Sequence, residues 1–295
     1  MKIYIKELKR EFETKSEAFK ALKEAKDTII TAKKSDTLKS SEKLGGVPLR
    51  PLKISDSIKG LDTSEGMYHI VVNTTNVLDS HDDLHVKGIW NKTVKDQQGK
   101  LNLTVDHKID IDSIVTRKEH VSVSILDTTF KALGYNLEGE TQALIYSVHE
   151  DNIKHEKALE WLKSGDSIEA SVRMQYLDIE LALNSDDKED ENEYKAFKDY
   201  SKSIANKSDR QDLEYFWIVK QAKNVSESSL VVAGSNSYTG VYEPSSDTQE
   251  ETQASEPSAD TQKESEINLT DIIGGLKVEK KEGINLVSLI KEIKK

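Results

Sequence analysis

The sequence predicts a mainly β fold with flanking helices (α+β), and three observations carry that prediction. Short runs of strand-type residues bounded by Gly, Asn and Asp recur between Gly66 and Val148. A helical pattern over about Asn152–Leu162 ends at Ser164-Gly165 and leads directly into a long, partly alternating strand, Ile168–Leu183. The apolar share is 36% and the charged share 32%, against about 45–50% and 25% in an ordinary domain, so much of the chain is expected to stay solvated.

Along the chain, apolar residues recur at helical spacing from Leu8 to Ala32, which predicts an amphipathic helix within an extension of residues 1–34. Residues 35–51, with Gly45, Gly46 and two prolines, have linker composition. A core is expected over residues 52–242, with strands at Met67–Asn73, Leu101–Val105, His120–Leu126 and Gln142–Val148, then Tyr215–Val219 and Leu230–Ala233. Between the last two groups, residues 184–212 open on an acidic run and are predicted to be a solvated insertion with some helix. Residues 243–266 lack large apolar side chains and predict a disordered acidic linker. The tail, 267–295, repeats an Ile-Asn-Leu motif at Ile267 and Ile284 and is expected to form short helices that dock on a partner or on the core.

A net charge of −11 with no long basic tract argues against nucleic-acid binding by the whole chain. Cysteine is absent, which removes disulfides, thiolate metal sites and a Cys nucleophile. No run of about 18 apolar residues occurs, so a soluble cytoplasmic protein without membrane contact is predicted.

Three residues stand out as candidates for chemistry: His107 in Thr-Val-Asp-His-Lys, Ser171 in Ile-Glu-Ala-Ser-Val-Arg-Met, and Glu227 in Ser-Glu-Ser-Ser-Leu-Val-Val. Taken singly each has a bland alternative. A strand-end histidine is commonly a hydrogen-bonded surface residue, and Ser167, Ser122 and Ser124 rival Ser171. Glu227 would otherwise be a loop carboxylate, replaceable by Glu138, Glu140 or Asp127. Asp106 is disfavoured as a partner of His107 because neighbouring side chains on a strand point to opposite faces. The cluster Asp79, His81, Asp82, Asp83, His85 admits a metal reading, against which a polar turn is favoured.

The order and flanks of these residues resemble the prohead serine proteases of tailed bacteriophages, a family similar in fold to herpesvirus assemblin. The likeness spans about residues 66–242 and has four parts. Asn76-Val-Leu-Asp-Ser-His-Asp-Asp-Leu-His-Val-Lys-Gly88 is similar to the family's opening segment, and Val105-Asp106-His107 to its strand-end catalytic His. The Gly-ended helix before Ser171 matches the lead into the nucleophile, and Glu227-Ser-Ser-Leu-Val-Val followed by Ala233-Gly-Ser-Asn matches the late Glu segment. Where the family often has a Gly-Phe pair after its serine, this chain has Val172-Arg173-Met174.

The resemblance implies an antiparallel β-barrel of the assemblin type and a serine endopeptidase that cleaves scaffold and capsid precursor proteins, and itself in flexible segments. His107 would be the base, Ser171 the nucleophile and Glu227 the orienting carboxylate, with Arg173 supporting the oxyanion. It implies no cofactor. The partners would be the major capsid protein, the scaffold protein and further copies of this chain, inside the assembling prohead in the host cytoplasm. Two rivals are a non-catalytic capsid-assembly scaffold on the same fold and a metal-dependent hydrolase built on the Asp79–His85 cluster.

Overall fold

The computed structural model describes residues 2–35, 52–54, 60–166, 168–210 and 212–244. The 35–51 linker after Ser35 up to Pro51, the rival Ser167 and everything expected of residues 245–295 lie outside them. All described residues belong to one unit, Met1–Thr248.

The chain opens with a hairpin rather than a helix. β1 (Ile3–Ile5) pairs antiparallel with β2 (Arg10–Phe12) around Lys9, whose φ is 49°. Helix α1 (Lys15–Ser35) starts only after Thr14, whose hydroxyl accepts from Glu17 N–H at 3.2 Å as an N-cap does. Leu8 and Phe12, at helical spacing in the sequence, therefore precede the helix, and Phe12 is buried from β2.

The remaining strands are β3 (Leu52–Ile54), β4 (Met67–Thr74), β5 (Asp83–His85), β6 (Asn102–Val105), β7 (Ile114–Thr116), β8 (Ser122–Thr129), β9 (Glu140–His149), β10 (Glu169–Leu183), β11 (Tyr215–Val231) and β12 (Gly240–Pro244). Three helices join them: α2 (Asn91–Asp96), α3 (Glu156–Ser164) and α4 (Glu191–Tyr200). α3 ends where Gly165 turns left-handed at φ 71°, a conformation that favours glycine. No helix among the described residues is long and apolar enough to cross a membrane.

The fold is thus mixed, mostly strands with a few helices. The strands form two five-stranded sheets and the small β1–β2 pair, not the expected closed antiparallel barrel. One sheet has the order β3-β12-β4-β9-β8. In the other, β11 is flanked along one edge by β10, antiparallel, and along the other by β5 and β6, both parallel, with β7 beyond β6. Where the sheets approach, no backbone ladder forms. The free N–H and C=O of Ala170 on β10 instead bond the Thr239 hydroxyl, at 3.1 and 2.8 Å, so a side chain spans the seam.

The β10–β11 hairpin is the spine of the molecule. On β10, Ala170, Val172, Met174 and Tyr176 enter the main core, whereas Ser171, Arg173 and Gln175 alternate to the other face. β11 is continuous through Lys220–Ser229, where the polar sequence predicted an interruption. The 184–212 insertion is less solvated than expected: Ala196 and Phe197 of α4 are buried, and Phe197 packs on Phe216 with ring centroids 5.4 Å apart.

Candidate functional site

Three neighbouring strands carry hydroxyl residues in one row. Ser171 on β10 lies opposite Ser229 on β11, which lies opposite Thr104 on β6, so their side chains share a sheet face. Glu227, two residues before Ser229, belongs to that face as well. A bulge re-aims this stretch. Between Val172 and Met174 the partner residues on β11 run from Ser228 to Asn224, and Ser226 takes a φ of 68°. Glu227 is thereby set 0% exposed among hydroxyls instead of in a solvated loop.

His107 reaches this face from just past the end of β6. Asp106 and His107 are both left-handed, with φ of 51° and 55°, and Lys108 N–H closes the turn on Val105 C=O at 3.1 Å. The ring folds back so that Nδ1 lies 2.9 Å from Glu227 Oε1. Glu227 Oε2 accepts from Thr104 Oγ1 at 3.1 Å, and the His107 backbone N–H donates to Ser229 Oγ at 2.9 Å. The other ring nitrogen, Nε2, is buried and has no hydrogen-bond partner.

Ser171 is 5% exposed, and its hydroxyl makes no hydrogen bond to a described residue. The Ser171–His107 hydrogen bond is not formed. Arg173, half-buried on the Ser171 face of β10, has a buried Nε without a partner. Underneath the start of β10, Gly234 N–H donates to Glu169 Oε2 at 2.6 Å. A Cβ at position 234 would come within 3.1 Å of Ala170 C=O, so the small residue lets this loop seat against the strand.

The three sequence candidates therefore lie on or reach one sheet face, and the rivals among the described residues do not. Ser122 and Ser124 lie on β8 in the other sheet. Asp127 binds Lys87 and Gln142, each at 2.9 Å, Glu138 pairs with Lys131, and Asp106 faces Lys108 at 3.7 Å. Sequence reasoning missed Thr104 and Ser229. The i, i+2 relation of Ser229 to Glu227 was the available signal.

The Asp79–His85 segment forms a second buried polar cluster. Asp79 Oδ1 caps the turn by accepting from His81 N–H at 2.8 Å and Asp83 N–H at 3.0 Å. Asp83 accepts from Lys33 Nζ of α1 at 2.6 Å and from Tyr176 Oη at 2.9 Å. Asp82 pairs with Lys6 and Arg210. Among the described residues no three His, Asp or Glu converge as metal ligands. Burial and the adjacent Asp83 carboxylate push the Asp79 carboxyl up to about 8, and burial pushes His85 down to about 3.

A cavity of about 300 Å³ opens at the ends of β6 and β11, lined by Val105, Lys108, Trp161, Ile168, Val231 and Val232. Its lining includes none of Ser171, His107 and Glu227, so it does not contain the candidate reacting atoms. No protein-family model, curated protein or solved structure matches the chain.

Proposed function

We propose that this chain is a serine endopeptidase of the prohead maturation type, with Ser171 as nucleophile, His107 as general base and Glu227 as orienting carboxylate. One observation carries the reading: His107 Nδ1 is held 2.9 Å from a fully buried Glu227, while Nε2 stays buried and unpartnered beside the Ser171–Ser229–Thr104 row. The order and flanks of these residues, through their likeness to the prohead proteases, select the same three in the sequence.

The chemistry follows from the proton positions. A serine hydroxyl attacks an amide carbonyl only when a base takes its proton, and neutral imidazole suits that task near pH 7. Glu227 fixes the proton on Nδ1, so the lone pair of Nε2 is available to Ser171 and the imidazolium that forms is stabilised. Ser171 Oγ bonds to the carbonyl carbon, Nε2–H then protonates the leaving amine, and water repeats the sequence on the acyl-enzyme. Arg173, two residues along the same strand face, adds positive charge where the oxyanion develops. The substrates in this reading are scaffold and capsid precursor subunits, with cleavage inside the assembling shell. An assemblin-type kinship of fold belongs to the same proposal and rests on the order of the His107, Ser171 and Glu227 segments in the chain.

The test is a time course of wild-type and Ser171→Ala chains incubated with the cognate capsid subunit and read by intact mass, with a fluorophosphonate labelling arm. Cleavage, or a fluorophosphonate adduct on Ser171, that the variant abolishes is the expected result. If neither chain cuts or labels while both bind capsid, the scaffold reading replaces this one.

A further inference from the structure

Resting on that reading, we propose that Thr104 and Ser229 are positioning residues that close a hydrogen-bonded circuit on His107, fixing its backbone and its ring together. The circuit has four links. His107 N–H meets Ser229 Oγ at 2.9 Å, Ser229 Oγ meets Thr104 Oγ1 at 3.0 Å, Thr104 Oγ1 meets Glu227 Oε2 at 3.1 Å, and Glu227 Oε1 meets His107 Nδ1 at 2.9 Å. It leaves from one atom of His107 and returns to another.

Counting protons fixes the direction of every link. Glu227 as a carboxylate only accepts, so it takes the Thr104 hydroxyl proton and the proton on Nδ1. Thr104 has then given its one proton, and Ser229 must donate to it. Ser229 in turn is the acceptor for the His107 backbone N–H, which can only donate. The Ser229 hydroxyl has one other acceptor, Leu230 C=O at 3.4 Å, which is longer and already taken by Asp106 N–H, so its proton goes to Thr104. Thr104, Ser229 and Glu227 are each 0% exposed, so water does not compete. The arrangement is compatible with one histidine tautomer, the one with a free lone pair at Nε2.

The circuit also answers a backbone question. A histidine at φ 55° directly after an aspartate at φ 51° is an uncommon, strained pair that persists only where its surroundings over-determine it. The Ser229 bond to His107 N–H, with Asp106 N–H bonded to Leu230 C=O at 3.1 Å, ties both residues to β11. Ser229 is also the register partner of Ser171. One strand therefore holds the base's backbone, the base's carboxylate and the neighbour of the nucleophile.

The experiment uses the full chain with Thr104→Val, Ser229→Ala, the double variant and the conservative Thr104→Ser. On a peptide spanning a cleaved boundary, each single variant is expected to lose about tenfold in kcat with KM changed less than about twofold. The double variant should fall little below either single one, because each breaks the same ring, and Thr104→Ser should recover to within about twofold of wild type. A second arm needs no catalysis. In a Ser171→Ala background, solvent exchange of the His107 Nδ1–H proton, read by NMR, should speed up in Thr104→Val and be restored in Thr104→Ser. Unchanged kcat per folded molecule and unchanged exchange, even with lowered thermal stability, would overturn the proposal and leave a packing role. If the wild-type chain cleaves nothing, the protease reading fails, and the exchange arm still decides the circuit.

Discussion

Two buried histidines at strands flanking β11, His85 and the proposed base His107, differ in how their ring nitrogens are engaged. His85, on β5, has both ring nitrogens engaged: Nδ1 faces the Asn73 amide at 3.0 Å and Nε2 the Tyr176 hydroxyl at 3.2 Å. Trp90 Nε1–H occupies the Asn73 carbonyl at 2.9 Å, so the Asn73 NH2 must face His85. The proton of His85 then sits on Nε2 and points at Tyr176, whose own proton goes to Asp83. That chain is satisfied at every step and ends on the Lys33 ammonium. His107 is held as firmly through one nitrogen only. Burial and carboxylate neighbours are common to both regions, and His81 Nε2 in the second is buried and unpartnered too. Only His107 among the described residues combines a free Nε2 with a carboxylate held at Nδ1 by a 2.9 Å hydrogen bond.

The largest expected effect sharpens this contrast at the carboxylate. Glu227→Gln keeps the shape of the side chain but can present an NH2 group to His107, which favours the tautomer with its proton on Nε2 and no lone pair for Ser171. The variant should fold, and kcat should fall about a thousandfold or more. A loss below tenfold, with circular dichroism unchanged, would mean that Glu227 does not orient the base.

A change at the other cluster should do the reverse. Lys33 and Asp83 are 14% and 1% exposed at their side chains, and removing one partner of such a pair strands a buried charge. Lys33→Met is expected to lower the unfolding free energy by about 3–5 kcal/mol. Activity per folded molecule should remain within about twofold of wild type. Urea titration and kinetics on the same preparation check both halves. A wild-type unfolding midpoint, or a kcat loss comparable to that of Glu227→Gln, would erase the distinction between the two regions.

Legibility in the sequence followed the same division. The α3–Gly165–β10 lead into Ser171 was readable because a helical period, a left-handed glycine and a strand each leave local marks. Strand β11 was only half visible, since Lys220–Ser229 is polar on both faces. One face carries the site, and the other places Asn224 and Ser228 in hydrogen bonds, with Asn224 Nδ2 donating to Tyr146 Oη at 2.6 Å. Hydrophobic alternation cannot mark a strand whose buried residues are polar. For the same reason Glu227 read as a loop residue apart from its family likeness. The N-terminal hairpin was hidden because Leu8 and Phe12 fit a helical period by chance, and the closed barrel was not formed because Ala170 meets a threonine side chain where a strand would be needed.

The smallest effect tests the Asp79–Asp83 pair by pH. The Asp79 carboxyl is raised from the ordinary 3.8 to about 8, through burial first and the Asp83 charge second. A raised carboxyl means the folded state holds a proton that the unfolded chain has lost. Its contribution to stability is full below about pH 4 and disappears as pH rises through about 8. Asp79→Asn carries no titrating proton, so its stability should slope less between pH 5 and pH 8 than that of the wild type. Relative to wild type, it should gain at the upper end of that range. The amide keeps an oxygen for the His81 and Asp83 backbone N–H groups, which preserves the turn. Urea midpoints of both chains at the two pH values measure the difference. Parallel slopes would show that Asp79 is ionised in the folded protein, and the second cluster would then hold a charge that nothing in its own hydrogen bonding neutralises.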